Sequence, residues 1–140
     1  MLPIKQRTGM RGVFLVAAEL SKNGYSVALT ARNAAGADLM IFSTSKAKAQ
    51  SIEVKTNAKK NNYWLLSERG CKMSSETHYY AFLNISEHKD GCEQFDYYIV
   101  PSDIVSSNIL VEKRKNSTWY SFSLNYAKNY KDKWSVLGKE

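Results

Sequence analysis

No stretch of the 140 residues approaches the roughly 20 consecutive apolar positions that a membrane-spanning helix requires. The amino terminus, Met1-Leu2-Pro3-Ile4-Lys5-Gln6-Arg7, is equally short of the apolar core of a secretion signal, so a soluble, cytoplasmic protein with no membrane partner is expected. Cysteine is scarce, with Cys71 and Cys92 alone. Together with His78 and His88 they form Cys-x6-His-x9-His-x3-Cys, which matches none of the close-paired zinc spacings. Without a secretion signal, the two thiols are expected to stay reduced. Acids are in deficit, 13 against 20 Lys and Arg, for a formal charge of +7 and a pI near 9.4. That balance favours a polyanionic partner, nucleic acid first among them. No repeat, low-complexity tract or linker interrupts the chain. At 44% hydrophobic residues it can bury one core, so residues 1–140 read as a single domain.

Thr8 is a candidate N-cap, and Val13, Val16, Ala17 and Leu20 recur at helical spacing until Asn23-Gly24 supplies a stop. A helix over about residues 9–23 follows. Tyr25 to Thr30 alternates like a strand, Arg32-Asn33-Ala34-Ala35-Gly36 is a small-residue connection, and Ala37 to Phe42 reads as a second strand. Residues 43–49 are polar enough for a hairpin loop, and Gln50 to Thr56 forms a third strand. Beyond the basic loop at residues 57–62, strands are expected at 79–85, 97–100 and 119–124. A short helix begins at Pro101-Ser102-Asp103, and a terminal helix would bury Tyr126, Tyr130 and Trp134 at i, i+4 and i+8.

The chemistry concentrates between Asp38 and Lys55. Side chains alternate faces along a strand, so Glu53 and Lys55 share one face while Ile52 and Val54 point into a core. If the preceding strand pairs alongside in the right register, Asp38 approaches Glu53. Two hard oxygen donors for Mg²⁺ then sit beside a lysine, an arrangement suited to cleaving a phosphodiester. Lys55 would stabilise charge developing on phosphorus, or orient or deprotonate the attacking water; the residues alone leave these roles open.

The order helix, strand, strand with Asp38, strand with Glu53-Val54-Lys55 resembles the PD-(D/E)XK nuclease superfamily, as do the flanks Gly9–Gly24 and Phe95–Ser102. The resemblance covers about the first three quarters of the chain and is to small stand-alone bacterial members. It implies an α/β, restriction-endonuclease-like fold, with a mixed central β-sheet flanked by helices and an α-β-β-β core order at the amino terminus. It also implies a metal-dependent DNA endonuclease using Mg²⁺, for which Mn²⁺ can substitute. Asp38 and Glu53 would bind the ion through their carboxylates and Val54 through its backbone carbonyl, and Lys55 would serve the attacking water. Ala37 stands where the motif's name has proline. Val13 stands where many relatives place a glutamate facing the metal. Glu19, the one acid of the leading helix, lies six residues on, about 240° around the helix, and is a poor substitute.

Blander readings accompany these. Asp38 at a strand edge, and Glu53 with Lys55 as a same-face pair, would also serve as ordinary sheet surface. Arg32, Lys59 and Lys60 are candidate phosphate contacts, though such residues also simply keep a protein soluble. The pairs Tyr63-Trp64, Tyr79-Tyr80, Tyr97-Tyr98 and Trp119-Tyr120 each straddle a strand, so core packing explains one ring of each without base stacking. Two non-catalytic alternatives stand beside the nuclease: a nuclease-fold module that binds nucleic acid without cutting it, and an immunity or regulatory domain that binds protein. Cutting both strands of a duplex calls for two active sites, which makes a homodimer an expectation as well.

Overall fold

A computed structural model of the protein describes residues 1–31, 37–42 and 48–138. Its first element is helix α1, Ile4–Lys22, whose residues Gly12, Val16 and Leu20 are buried at i, i+4 and i+8. The helix starts more than a turn earlier than Thr8 would have it. Pro3, with φ −55°, occupies the N-cap position and its carbonyl accepts the Arg7 N–H at 3.0 Å. Lys5, Gln6 and Arg7 are good helix formers that carry no apolar signal, which is why periodicity alone places the start too late. The stop falls where expected: Gly24 adopts φ +90°, and the Asn23 N–H bonds the Glu19 carbonyl at 3.0 Å.

Strands β1 (Ser26–Leu29), β2 (Leu39–Phe42), β3 (Gln50–Asn57), β5 (His78–Glu87) and β6 (Glu93–Pro101) form one mixed sheet in the order β1-β2-β3-β5-β6. All neighbours are antiparallel except β3 and β5, which run parallel with Glu53 opposite Tyr80 and Lys55 opposite Phe82. A parallel pair needs a long crossover. Here that crossover contains β4 (Tyr63–Leu66) and the one-turn helix α2 (Arg69–Lys72). The strand β4 joins a second, antiparallel sheet with β7 (Leu110–Lys113) and β8 (Thr118–Ser123), in the order β4-β8-β7. The helix α3 (Ser102–Asn108) follows β6 where expected, but not through side-chain capping: Pro101 holds the N-cap position and no side chain caps the helix, because the buried Ser102 hydroxyl donates to the Ser75 carbonyl at 2.8 Å.

Two cores result. Helix α1 packs Val16 and Leu20 against Leu39, Ile41, Ile52, Val54, Leu83 and Ile99 on one face of the main sheet. On the other face the second sheet and α3 close over Tyr80, Phe82, Tyr98 and Val100 with Trp64, Phe122 and Val105. The Trp64 indole N–H, fully buried, donates to the Leu83 carbonyl at 3.1 Å, tying the two sheets together.

The terminal helix does not form as predicted. Leu124–Ala127 makes a single α-turn, α4, and Lys128–Tyr130 and Trp134–Val136 are 3-10 turns separated by Asp132 at φ 53°. Long-range bonds break the run: Asp132 N–H donates to the Tyr97 carbonyl at 2.9 Å, and Lys131 bridges Tyr98. Tyr126 is consequently exposed, while Trp134 packs its ring against Tyr97 at 5.6 Å. The expected connection at residues 32–36 and most of the expected hairpin loop, residues 43–47, lie outside the described residues.

Candidate active site

The site forms where β2 runs out beside β3. Leu39 pairs with Ile52, so Asp38, one residue before the strand begins, comes alongside Glu53. Its main chain still holds the ladder, with the Asp38 N–H bonded to the Ile52 carbonyl at 2.9 Å. Its carboxylate oxygen Oδ2 accepts the Val54 N–H at 2.7 Å. A backbone donor at the open strand edge is thereby satisfied and the aspartate is locked in place.

Glu53 stands between Asp38 on one side and Tyr80 on the other. Its carboxylate meets the Lys55 ammonium at 3.2 Å, and the two side chains retain 14% and 29% of their exposure. The lysine is thus half-enclosed, yet open to a ligand approaching the sheet. Burial pushes the Asp38 carboxyl above the usual carboxylate range; the Val54 N–H draws it back down, Glu53 raises it further and Lys55 lowers it. Two carboxylates in this relation repel each other, and a cation between them relieves that repulsion.

Beneath these residues runs a buried polar row that sequence reasoning missed. Ser51 Oγ lies 2.7 Å from His78 Nδ1, and the imidazole packs edge-on against Tyr80 at 5.2 Å between ring centres. His78 Nε2 and the Tyr80 hydroxyl are both buried without a hydrogen-bond partner among the described residues. Burial lowers the His78 pKa, the Glu53 charge works against it and Arg69 with it, so the ring is neutral at pH 7. The Tyr80 phenol is pushed far above its ordinary value, by burial first and by the Glu53 carboxylate second. His78 opens β5 and is 1% exposed. Parallel pairing of β3 with β5 supplies these neighbours, and no local pattern announces a parallel partner 27 residues away.

A cavity of about 360 Å³ opens between α1 and the ends of β1 to β3, with Asp38 and Val54 in its floor. Gln6, Met10 and Val13, at i, i+4 and i+7, form its helix wall. Val13 therefore lines the space beside Asp38 with a hydrocarbon side chain. Gln6 places an amide on the same stripe two turns earlier, a position that helical spacing from Val13 would have singled out. The helix sits very close to β3 at this level: a Cβ on Gly12 would fall 1.7 Å from Thr56 Oγ1.

Lys59 and Lys60 are exposed in the loop leaving β3, and Arg32 lies outside the described residues. Among the described residues no three His, Cys, Asp or Glu side chains gather as a metal site, so a cation here would rest on the two carboxylates, main-chain oxygens and water. Cys71 and Cys92 are free thiols. No helix among the described residues is long and apolar enough to cross a membrane.

The fold these residues build is a nuclease-like one. A solved structure that resembles the chain over nearly its whole length is the bacterial homing endonuclease I-Ssp6803I, at a TM-score of 0.55 and 15% sequence identity, with 98% of this chain and 92% of that one covered. At that identity the likeness is one of fold. No protein-family model and no curated protein sequence matches the chain.

Proposed function

We propose that the protein is a Mg²⁺-dependent endonuclease of the PD-(D/E)XK type, hydrolysing phosphodiester bonds of DNA, with Mn²⁺ able to replace Mg²⁺. The observation that carries this reading is the convergence of Asp38, Glu53 and Lys55 on one half-open patch, with Asp38 locked to the Val54 N–H. The endonuclease that shares the fold agrees with it. Hard carboxylate oxygens on two neighbouring chain segments, one with its pKa raised by burial first and by the other's charge as well, are a donor set suited to a divalent cation. Asp38, Glu53 and the Val54 carbonyl would hold that ion, which supplies Lewis acidity and an activated water.

The chain's own groups do the rest. Asp38 is fixed by the Val54 amide, so it meets the ligand without reorganising. Lys55, held beside Glu53, places a cation where negative charge grows on the phosphoryl oxygens, and it can exchange its glutamate partner for the substrate. Lys59 and Lys60 hold the phosphate backbone as it leaves the site. A homodimer would bring two such sites to the two strands of a duplex.

A second reading is favoured by Val13. Because it lines the cavity beside Asp38 with apolar surface, the site has no carboxylate from α1, and a nuclease-fold module that binds nucleic acid without cutting it fits the same residues. Incubating wild type and Lys55→Ala with linear, nicked, branched and single-stranded DNA in Mg²⁺, Mn²⁺ or EDTA decides between them. Metal-dependent cleavage by wild type alone supports the nuclease. Binding without cleavage on every substrate supports the second reading, and Val13→Glu is then the substitution to test for restored cutting.

A further inference from the structure

The second sheet has an outward face that packing of the two cores does not use. Along β4 and β8 the residues Trp64 and Phe122 turn inward and are fully buried. Their neighbours Tyr63, Leu65 and Trp119 turn outward and are 43%, 46% and 39% exposed. Leu110 on β7 joins them, and every residue of β7 is exposed. Ser121 and Ser123 lie between these side chains, since Tyr63 pairs with Ser123 and both Leu65 and Leu110 pair with Ser121. A shallow groove of about 450 Å³ runs across the face. Exposed apolar and aromatic surface of this kind marks a partner.

Charge says which partner. The turn from β7 to β8 carries Lys113, Arg114 and Lys115, all exposed, and the loop entering β4 carries Lys59 and Lys60, also exposed. These two clusters lie at opposite ends of the sheet. Leu124 N–H bonds the Asn62 carbonyl at one end, while Arg114 N–H bonds the Ser117 carbonyl at the other. The six residues of β8 separate them by roughly 20 Å at about 3.3 Å per residue. The Arg114 guanidinium is held 4.5 Å over the Trp119 ring, and Glu112, the one acid lining the groove, sits 3.5 Å from that same guanidinium.

We propose that this outward face of the β4-β8-β7 sheet lies in the major groove of duplex DNA, with the Lys113-Arg114-Lys115 turn and the Lys59-Lys60 loop on the phosphates either side. This rests on the DNA-acting reading above and adds the surface that grips the substrate. A major groove about 12 Å wide admits a β-ribbon, and a sheet about 20 Å long overhangs it at both ends, where the cations are. Ser121, Ser123 and Tyr63 present hydroxyls to base edges, Leu65 and Leu110 present apolar surface to thymine methyl groups, and Arg114 is pre-oriented by its aromatic shelf. The face also lies on the same side of the main sheet as Glu53 and Lys55, which share the Tyr80 and Phe82 side that the second sheet covers. A second copy of the chain fits less well, because a two-fold pairing across this face sets basic end against basic end.

The test is fluorescence anisotropy with a short labelled random-sequence duplex in EDTA, so that binding is read without cleavage. Salt titrations compare wild type, the K113A/R114A/K115A variant and Lys89→Ala on the β5–β6 turn, with sedimentation run on each. The expected result is a slope of log affinity against log salt reduced by about 2–3 in the K113A/R114A/K115A variant, at roughly 0.9 per lost phosphate contact. Lys89→Ala should keep the wild-type slope. If wild type binds the duplex and the hairpin variant keeps the full slope, this surface is wrong while the DNA-acting reading stands. If wild type binds no DNA at any salt, both fall. If Leu65→Arg splits a wild-type dimer and leaves DNA binding untouched, the face belongs to a second copy and the proposal is overturned.

Discussion

Replacing Gly12 by alanine tests whether α1 really lies against β3 as closely as the structure has it. In a free helix the change is favourable by about 1 kcal/mol, because alanine has the higher helix propensity. Here the new Cβ would sit 1.7 Å from Thr56 Oγ1 and 2.8 Å from Thr56 Cβ. Rotating the threonine about χ1 moves the hydroxyl away but cannot move its Cβ, so the helix or the strand must shift by several tenths of an ångström. Overpacking of that kind costs about 1–3 kcal/mol, occasionally more, and the contact here is severe enough to put the net loss near 2 kcal/mol after the propensity gain. For 140 residues, an unfolding entropy of about 2.1 cal/mol/K per residue converts this to a Tm lower by roughly 7 °C. Gly9→Ala is the internal control, since nothing lies within 4 Å of a Cβ there and the propensity gain should appear undiminished. Urea unfolding of both variants, and of each in a Thr56→Ala background, reads the sign directly. Thr56→Ala deletes the nearest atom and a buried hydroxyl with no partner among the described residues, so it should recover about 1 kcal/mol or more of the Gly12→Ala loss. Equal stabilisation by both alanines, or an identical Gly12→Ala cost in both backgrounds, would show that the helix does not press on β3.

Asp38→Asn should unfold no earlier than wild type, because the amide oxygen can still accept the Val54 N–H while the repulsion from Glu53 disappears; thermal melts check stability, and cleavage assays should show activity abolished. Tyr80→Phe removes a buried hydroxyl that has no hydrogen-bond partner among the described residues and should raise stability by up to about 1 kcal/mol, measured by urea unfolding. A loss of more than about 1 kcal/mol would mean that the hydroxyl is hydrogen-bonded after all, Glu53 being its neighbour across the ladder. His78 has a folded-state pKa below its unfolded value, so the unfolded chain takes up the proton first and stability falls as pH drops through about 6.5. His78→Asn should flatten that part of the pH–stability curve between pH 7.5 and 5.5, whatever it does to stability at neutral pH.

The residues by themselves determined the leading helix and its Gly24 stop, the strand that starts just after Asp38 and the strand carrying the Glu53-Lys55 pair, and the junction from β6 into α3. In each case the signal is local: an apolar repeat of 3.6 or 2, a glycine that can take positive φ, a proline at the entry to a short helix. Alternation alone placed Glu53 and Lys55 on one face and allowed one ring of Tyr63-Trp64 to be buried; the structure decides that the buried ring is Trp64. The tertiary structure decided what those residues meet. The register of Leu39 on Ile52 brings Asp38 to Glu53, and the parallel pairing of β3 with β5 buries His78 and Tyr80 beneath the site. It also lifts β4 out of the main sheet into a second one with β7 and β8, where Leu110 to Lys113 carries too little alternating burial to be recognised as a strand in sequence. The expected terminal helix fails for the same reason: Tyr126, Tyr130 and Trp134 have helical spacing, but bonds from Asp132 and Lys131 to Tyr97 and Tyr98 outweigh it. Local sequence sets which faces are apolar. Which faces then come together depends on contacts between distant residues, whose free energy comes from burial the chain achieves only once folded.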